Sequence, residues 1–218
     1  MMPNYEDTFS VLHSKFGEHR EKLCSHLAAI AVLSSIDPLK HGWLNRFLVA
    51  VQFEEREMWA SSVSNVLQGT TEASKTEIWN RWMSKYWRNR IDGIPLPLSP
   101  GEVKLMALWV ANLEPVFDQA VQNFCASPAV ELGSDHIYYV LAESDVGIRH
   151  PTYSSKFLLH LLRYAQGPFW DCDYVEKTVE KILSVAPADK TDLLSVCDRL
   201  ATLGCGNAAH LKKAILSA

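Results

Sequence analysis

The stretch IWNRWMSKYWRNRIDGIPLPLSPGEVKLM, residues 78–106, decides how the fold of this chain is interpreted. It holds Trp79, Trp82 and Trp87, and within it a helical pattern gives way to extended backbone and then returns. Over residues 75–90 the apolar side chains recur every three or four positions, which predicts one buried helix face. Because each aromatic ring buries about 150–250 Å², we interpret the tryptophans as core residues, with a stacking or ligand-binding surface as the alternative.

The residues after this helix predict how it ends and how the next helix begins. Asp92-Gly93 is typical of a turn, and the two prolines of residues 94–98 exclude a helix there. Ser99 is a good N-cap, and Glu102 three residues later completes a predicted capping box. We expect a packing hub that joins N-terminal helices to a C-terminal helical array. Its residues are Trp79, Trp82, Trp87, Pro95, Pro97 and Trp109, and the isoleucine and leucines of residues 94–98 point inward.

Apolar spacing in the rest of the chain predicts helix after helix, with breaks at proline and glycine. The predicted fold class is therefore all-α: an irregular multi-helix array with antiparallel αα pairs, solenoid-like in its C-terminal half. We expect an N-terminal helical half over residues 1–126 that contains the tryptophan-rich hub, and a C-terminal αα array over residues 134–218. The intervening residues 126–133 predict a soft boundary within one continuous domain.

Composition limits the functional classes that the chain can belong to. The 218 residues carry a formal net charge of −4, so no global positive field favours nucleic acid. The longest apolar run is residues 27–33, far short of the ~20 residues that span a bilayer, and no secretory signal is visible. The five cysteines form no CxxC pair, which predicts reduced thiols in a cytoplasmic protein, with Cys205 as the most exposed thiol.

The sequence offers little that predicts catalysis or a metal site. His19 and His26 share a helix face, but seven residues of helix separate them by about 10.5 Å, too far for one zinc ion. The common metal, nucleotide and hydrolase motifs are absent, so we expect no metal and no cofactor. An enzyme would need a site assembled in three dimensions, and its candidate residues are Glu54, Glu57, Asp171, Cys172 and Asp173.

A basic helix face is the strongest candidate for a binding surface. Arg81, Lys85, Arg88 and Arg90 lie beside the tryptophans, and cations next to stacking rings are the ingredients of a phosphate or nucleic-acid contact. Glu77 and Asp92 lie close by in sequence, so a solvated or salt-bridged face and a protein-partner surface remain open.

The stretch also resembles a known family. The spacing that carries this likeness runs through Trp79, Trp82, Tyr86, Trp87, Arg90, Gly93, Pro95, Pro97, Leu98, Glu102, Met106 and Trp109, and a closing segment matches at Leu158-Leu159, Phe169-Trp170, Leu200, Leu203-Gly204 and Ala208. This spacing resembles an uncharacterised bacterial helical domain found at the C-terminus of some sirtuin-like, NAD-hydrolysing proteins linked to antiphage defence. The resemblance implies an accessory part rather than the NAD-hydrolysing domain, and it implies no catalytic residues.

These observations predict a non-catalytic helical interaction, sensing or assembly module. The expected partner is a protein, either a neighbouring catalytic domain or a second copy of the chain. Nucleic-acid binding through the basic face and an enzyme with a site assembled in three dimensions are the alternatives.

Overall fold

The computed structural model describes residues 19–127, 136–163, 165–166, 169–185 and 189–217. Within those ranges the chain forms helices and turns and no strand, which confirms the predicted all-α multi-helix array. We expect a first helix over residues 5–33 from its apolar spacing, and the structure describes its part from Arg20 to Leu33. Most of the predicted boundary at residues 126–133 lies outside the described residues.

Contacts divide the chain into two compact units, residues 1–105 and 106–218. Unit 1 contains α1 (Arg20–Leu33), α2 (Trp43–Ala50), α3 (Phe53–Gln68), α4 (Glu72–Ile78), a π-helical turn (Trp79–Met83), α5 (Ser84–Ile91) and the start of α6 (Pro100–Asn112). Unit 2 contains the end of α6, a 3-10 turn (Glu114–Val116), α7 (Phe117–Cys125), α8 (Ile137–Glu143), α9 (Val146–Arg149), α10 (Pro151–Leu162), α11 (Cys172–Leu183), α12 (Thr191–Thr202) and α13 (Ala208–Ser217). The expectation that residues 1–126 and 134–218 form one continuous domain stays a prediction.

Aromatic rings form the core of unit 1. α1 packs along α3, and Trp59 of α3 lies 6.3 Å from Trp82 and 5.6 Å from Tyr86, measured between ring centroids. Trp82 and Tyr86 meet edge to face at 5.8 Å, an arrangement that aromatic pairs prefer. The Trp82 indole also donates a hydrogen bond of 3.0 Å to the Ala31 carbonyl near the end of α1. The predicted apolar stripe therefore faces the core of its own unit.

Two local features of this stretch differ from the sequence prediction. The predicted single helix over residues 75–90 contains a π-helical turn at Trp79–Met83, which the three-and-four spacing did not reveal. Ile94 is 51% exposed, so its predicted inward orientation is wrong. The reason is a Schellman motif: Gly93 adopts φ +75°, and the Ile94 N–H donates to the Asn89 carbonyl at 2.8 Å. This bond keeps Ile94 at the end of α5 rather than in an apolar groove.

Other helix boundaries follow local chemistry. Asp37-Pro38 predicts an N-cap followed by the first residue of a helix. Instead, the Asp37 carboxylate caps a turn by accepting the Leu39 and Lys40 N–H groups, and α2 begins at Trp43. The predicted break at Pro115 is confirmed by the 3-10 turn Glu114–Val116. The segment IYYVLA, residues 137–142, has a sequence that fits a strand or a short helix, and we predict a helix because a single strand would have nothing to pair with. It is helical, within α8.

Unit 2 is an array of shorter helices. Phe157 of α10 packs edge to face on Phe117 and Phe124 of α7, at centroid distances of 5.8 and 5.2 Å. α12 packs against both α10 and α13, while α11 packs against α8. An ion pair between Asp198 and Lys212 spans the turn between α12 and α13, as expected of an antiparallel helix pair.

The prediction of five reduced thiols with an exposed Cys205 is wrong. Cys172 and Cys205 form a disulfide, and Cys205 is 6% exposed. A second Schellman motif ends α12: Gly204 has φ +86°, its N–H donates to Ala201 O at 3.2 Å, and the Cys205 N–H donates to Leu200 O at 3.0 Å. The motif fixes the Cys205 backbone beside the first residue of α11. Cys24, Cys125 and Cys197 are free thiols.

Candidate functional site

A buried arginine organises the end of the tryptophan-rich stretch. Arg90 is 0% exposed, and its guanidinium donates to the Leu96 and Pro97 carbonyls. It also donates to Glu102 Oε1 at 2.7 Å and to the Tyr86 hydroxyl. One planar cation thus holds the proline-rich link, the start of α6 and the tryptophan-rich core in one arrangement.

Glu102 completes this buried pair from the other side. Its second carboxylate oxygen accepts the Ser99 N–H at 3.1 Å, while the Ser99 hydroxyl accepts the Glu102 N–H at 3.0 Å. The predicted capping box is therefore confirmed, and its glutamate also neutralises Arg90. Arg56 Nη1 lies 3.9 Å from the same carboxylate. Burial of the charges is tolerable because each oxygen of Glu102 has a donor.

Glu57 belongs to the same charged cluster. Its carboxylate lies within 3.5 Å of the Ser99 hydroxyl, and a Cβ placed on Gly101 would come within 1.7 Å of Glu57 Oε1. Glycine at the second position of α6 therefore leaves room for the carboxylate. Burial raises the pKa of Glu57 above its usual value, and the neighbouring Glu102 charge acts in the same direction.

The predicted basic face separates into buried and exposed parts. Arg90 faces the interior, and Arg81 pairs with Glu77 at 2.9 Å and reaches towards the Ala31 and Val32 carbonyls at the end of α1. Lys85 and Arg88 are exposed. The structure therefore does not place the four cations on one open surface, and a role for them in binding stays a prediction.

The predicted hub residues are mostly interior. Trp79, Trp82, Trp87 and Trp109 are buried, which fits their interpretation as core residues, whereas Pro95 is half-buried and Pro97 is exposed. The part of the hub prediction that joins N-terminal and C-terminal helices stays a prediction.

Several of the residues proposed for an enzyme site have other surroundings within their own unit. Glu54 is exposed, Glu57 belongs to the capping cluster, and Cys172 is held in the disulfide and has no free thiolate. Asp171 precedes α11 without capping it, and its Oδ2 atom has no hydrogen-bond partner in the described part of the chain.

The structure shows a histidine–carboxylate pair that the sequence did not suggest. His150 Nδ1 lies 2.8 Å from Asp118 Oδ1. Four residues after Asp118, the Gln122 amide donates a hydrogen bond of 2.6 Å to the hydroxyl of Tyr153, which lies three residues after His150. A carboxylate that holds Nδ1 leaves Nε2 as the nitrogen that could exchange a proton. Asp118 and His150 are 32 positions apart in the chain, so a motif search does not find this pair.

An exposed aromatic face is the clearest surface feature of unit 2. Trp170 is 77% exposed, whereas the other six tryptophans are buried. It lies two residues before α11, the helix on which Tyr174 contacts Tyr139 of α8 at a centroid distance of 5.5 Å. The His136 ring stacks on Tyr139 at 5.0 Å. We use the name aromatic face for these three contacting rings, His136, Tyr139 and Tyr174, and for the exposed indole of Trp170, which lies four residues before Tyr174 in the chain.

The segment that carries Trp170 is anchored on both sides. On its N-terminal side the Phe169 ring packs edge to face on buried Tyr138 at 5.3 Å. On its C-terminal side Cys172 is bonded to Cys205. Two residues, Trp170 and Asp171, therefore lie between two fixed points. The sequence showed the apolar pair Phe169-Trp170 but not that one ring is buried and the other exposed.

Two further findings limit the chemistry of the described residues. They contain no group of three or more His, Cys, Asp or Glu side chains that could hold a metal ion. No described helix combines the length and the apolar character needed to cross a bilayer.

The Arg90–Glu102 pair generates the first testable prediction. Replacing Arg90 by Met should lower the free energy of unfolding of unit 1 by about 3–5 kcal/mol, because Glu102 is then left buried without its cation. Denaturant titration followed by tryptophan fluorescence measures this, since unit 1 holds five of the seven tryptophans. Arg88→Met is the matched control, and as an exposed site it should change stability by no more than about 0.5 kcal/mol. Equal midpoints for the two variants would contradict the assignment.

The raised pKa of Glu57 generates a pH-dependent prediction. Because the folded state binds this proton more tightly than the unfolded state, the contribution of Glu57 to stability is lost as pH rises through the raised pKa. Glu57→Gln keeps the acceptor for Ser99 but not the charge. It should melt at a higher temperature than the unmodified chain near pH 7, and the difference should vanish below about pH 4. Glu54→Gln is the exposed control, and a pH-independent difference for Glu57→Gln would refute the argument.

Comparison with known proteins gives one match. No curated protein and no solved structure matches the chain. A protein family described as a domain of unknown function, DUF4020, matches residues 32–185, which is more than half of the 218 residues. The matched range includes the tryptophan-rich stretch, the Arg90–Glu102 pair and the aromatic face. The chain therefore belongs to the DUF4020 family of domains of unknown function.

Proposed function

We propose that this chain is a non-catalytic helical interaction module that binds a protein partner through the aromatic face. The exposure of Trp170 is the observation that carries the proposal, because it leaves most of a large, rigid indole side chain open to a partner. Tryptophan and tyrosine are also the residues that most often dominate the binding energy of protein interfaces.

The charged residues support the same interpretation. The described arginines with the most extensive contacts hold backbone carbonyls: Arg90 binds the proline-rich link, Arg81 reaches the end of α1, and Arg199 binds the Leu162 and Ala165 carbonyls after α10. Arginine side chains that bind backbone carbonyls in this way hold neighbouring segments in place and make the scaffold rigid. A rigid scaffold that presents a few aromatic side chains loses little conformational entropy on binding.

The resemblance of the tryptophan-rich stretch suggests the partner. We propose that the module is bacterial and accessory to a sirtuin-like, NAD-hydrolysing protein of antiphage defence, and that it works in the cytoplasm. The three free thiols, Cys24, Cys125 and Cys197, are compatible with a reducing compartment. Self-association is the second form that the interaction could take.

An enzyme is the alternative function, and the Asp118–His150 pair is the observation that favours it. A histidine oriented by a carboxylate is a common general base. Nucleic-acid binding would rest on Lys85 and Arg88, which are exposed, but the chain as a whole is acidic.

The proposal predicts the effect of removing the exposed indole. Trp170→Ala should weaken binding to a purified sirtuin-like NAD-hydrolysing protein from the same bacterium by at least about 2 kcal/mol, the size of an interface hot spot. Isothermal titration calorimetry measures this. The same variant should melt close to the unmodified chain, because an exposed side chain contributes little to folding.

Leu216→Ala is the matched control, since Leu216 is another large, exposed apolar residue of unit 2 and lies on α13. It should bind like the unmodified chain. If the unmodified chain binds neither the sirtuin-like protein nor a second copy of itself, the proposed function is wrong. If Trp170→Ala and Leu216→Ala bind equally well, the aromatic face is not the contact surface.

A further inference from the structure

We propose that the Cys172–Cys205 disulfide is a reversible latch that sets the geometry of the aromatic face according to the thiol–disulfide balance of its surroundings. This inference rests on the proposed function, since it assigns a regulation to the same surface.

The disulfide lies next to the exposed indole. Cys172 is the first residue of α11, two positions after Trp170. The Phe169 ring on Tyr138 anchors the other side of Trp170, so opening the disulfide removes one of the two anchors and leaves the other. Asp171 lies between Trp170 and Cys172. It makes no capping hydrogen bond to α11 that would replace the lost anchor.

The two cysteine residues differ in exposure. Cys172 is half-buried, whereas Cys205 is buried in the Schellman turn after α12. A thiolate of a small dithiol therefore attacks Sγ of Cys172, the S–S bond breaks, and Cys205 leaves as a thiolate that takes up a proton. The second thiol of the reductant then attacks the reductant's sulfur in the mixed disulfide, and Cys172 leaves. Two electrons and two protons pass to the protein sulfurs, and the dithiol becomes a cyclic disulfide.

The reduced form of Cys172 has local support. Cys172 lies at the N-terminus of α11, where the helix dipole stabilises a leaving thiolate, and its sulfur is 3.5 Å from the Phe169 carbonyl, which can accept a thiol proton. Cys24 and Cys197 are less reactive towards thiols and disulfides. Burial raises the pKa values of Cys24 and Cys197 to about 11, so few of these groups are thiolates near neutral pH.

The helices on either side of the bond do not depend on it. Val175, Val179 and Ile182 keep α11 buried, and the Asn207 amide donates to Glu176 Oε2 at 2.7 Å between the start of α13 and α11. Reduction should therefore loosen residues 169–172 and 204–206 while unit 2 stays folded. A partner that binds the reduced form has to order the Trp170 side chain itself.

The experiment compares the oxidised chain, the chain treated with dithiothreitol, and the Cys172→Ser/Cys205→Ser variant, each in native buffer. Differential alkylation with mass spectrometry should show Cys172 and Cys205 reduced together, while Cys24 and Cys197 react only after denaturation. Hydrogen exchange should increase for residues 169–172 and 204–206 and stay unchanged in α10. The affinity for the sirtuin-like protein should fall by about two- to tenfold in the reduced chain and in the double variant alike.

The controls separate this inference from the proposed function. Cys125→Ser with its disulfide intact should behave like the oxidised chain. If exchange is the same in all three forms, or if unit 2 unfolds on reduction, the latch does not exist. Equal binding by oxidised and reduced chains would also overturn it. If none of the three forms binds the sirtuin-like protein but hydrogen exchange changes as expected, the proposed function is wrong. The latch is then supported, and the partner of this surface belongs to another class.

Discussion

A single buried ion pair, Arg90 with Glu102, is the constraint on which the arrangement of unit 1 depends. The proline-rich link between α5 and α6 has few backbone donors of its own, so its carbonyls need donors from elsewhere. Arg90 supplies them to Leu96 and Pro97 and uses its remaining charge on Glu102. Removing either charge would leave the other charge buried in a low-dielectric core. A single substitution of either residue therefore destabilises this arrangement.

The same device recurs where helices end in both units. Helices leave their last carbonyls without partners, and here long cationic side chains approach several of them: Arg81 at α1, Lys181 at the Ser144 carbonyl after α8, and Arg199 after α10. This use of charge makes Arg81, Arg90, Lys181 and Arg199 less available for binding. The exposed aromatic face is then the most distinctive surface in the described part of unit 2.

Local rules predicted much of the fold, and non-local contacts account for the differences. The capping box, the glycine turn after α5 and the break at Pro115 depend on residues within a few positions, so the sequence was sufficient. Arg90 was assigned to the basic face, although it lies four residues after Tyr86 and so continues the buried stripe. The disulfide joins residues 33 positions apart, and no local pattern indicates that pairing. The exposure of Trp170 likewise depends on neighbours that spacing does not identify.

Hydrogen exchange in the Arg90→Met variant tests the central claim most directly, because it reports on the link rather than on overall stability. The account predicts that the Ser99 and Glu102 amides, and the backbone over residues 94–99, exchange faster than in the unmodified chain. Exchange in α3, which carries Trp59 in the core of the same unit, should change much less under conditions where the variant remains folded. Unchanged protection of Ser99 and Glu102 would contradict the claim that Arg90 holds this segment in place.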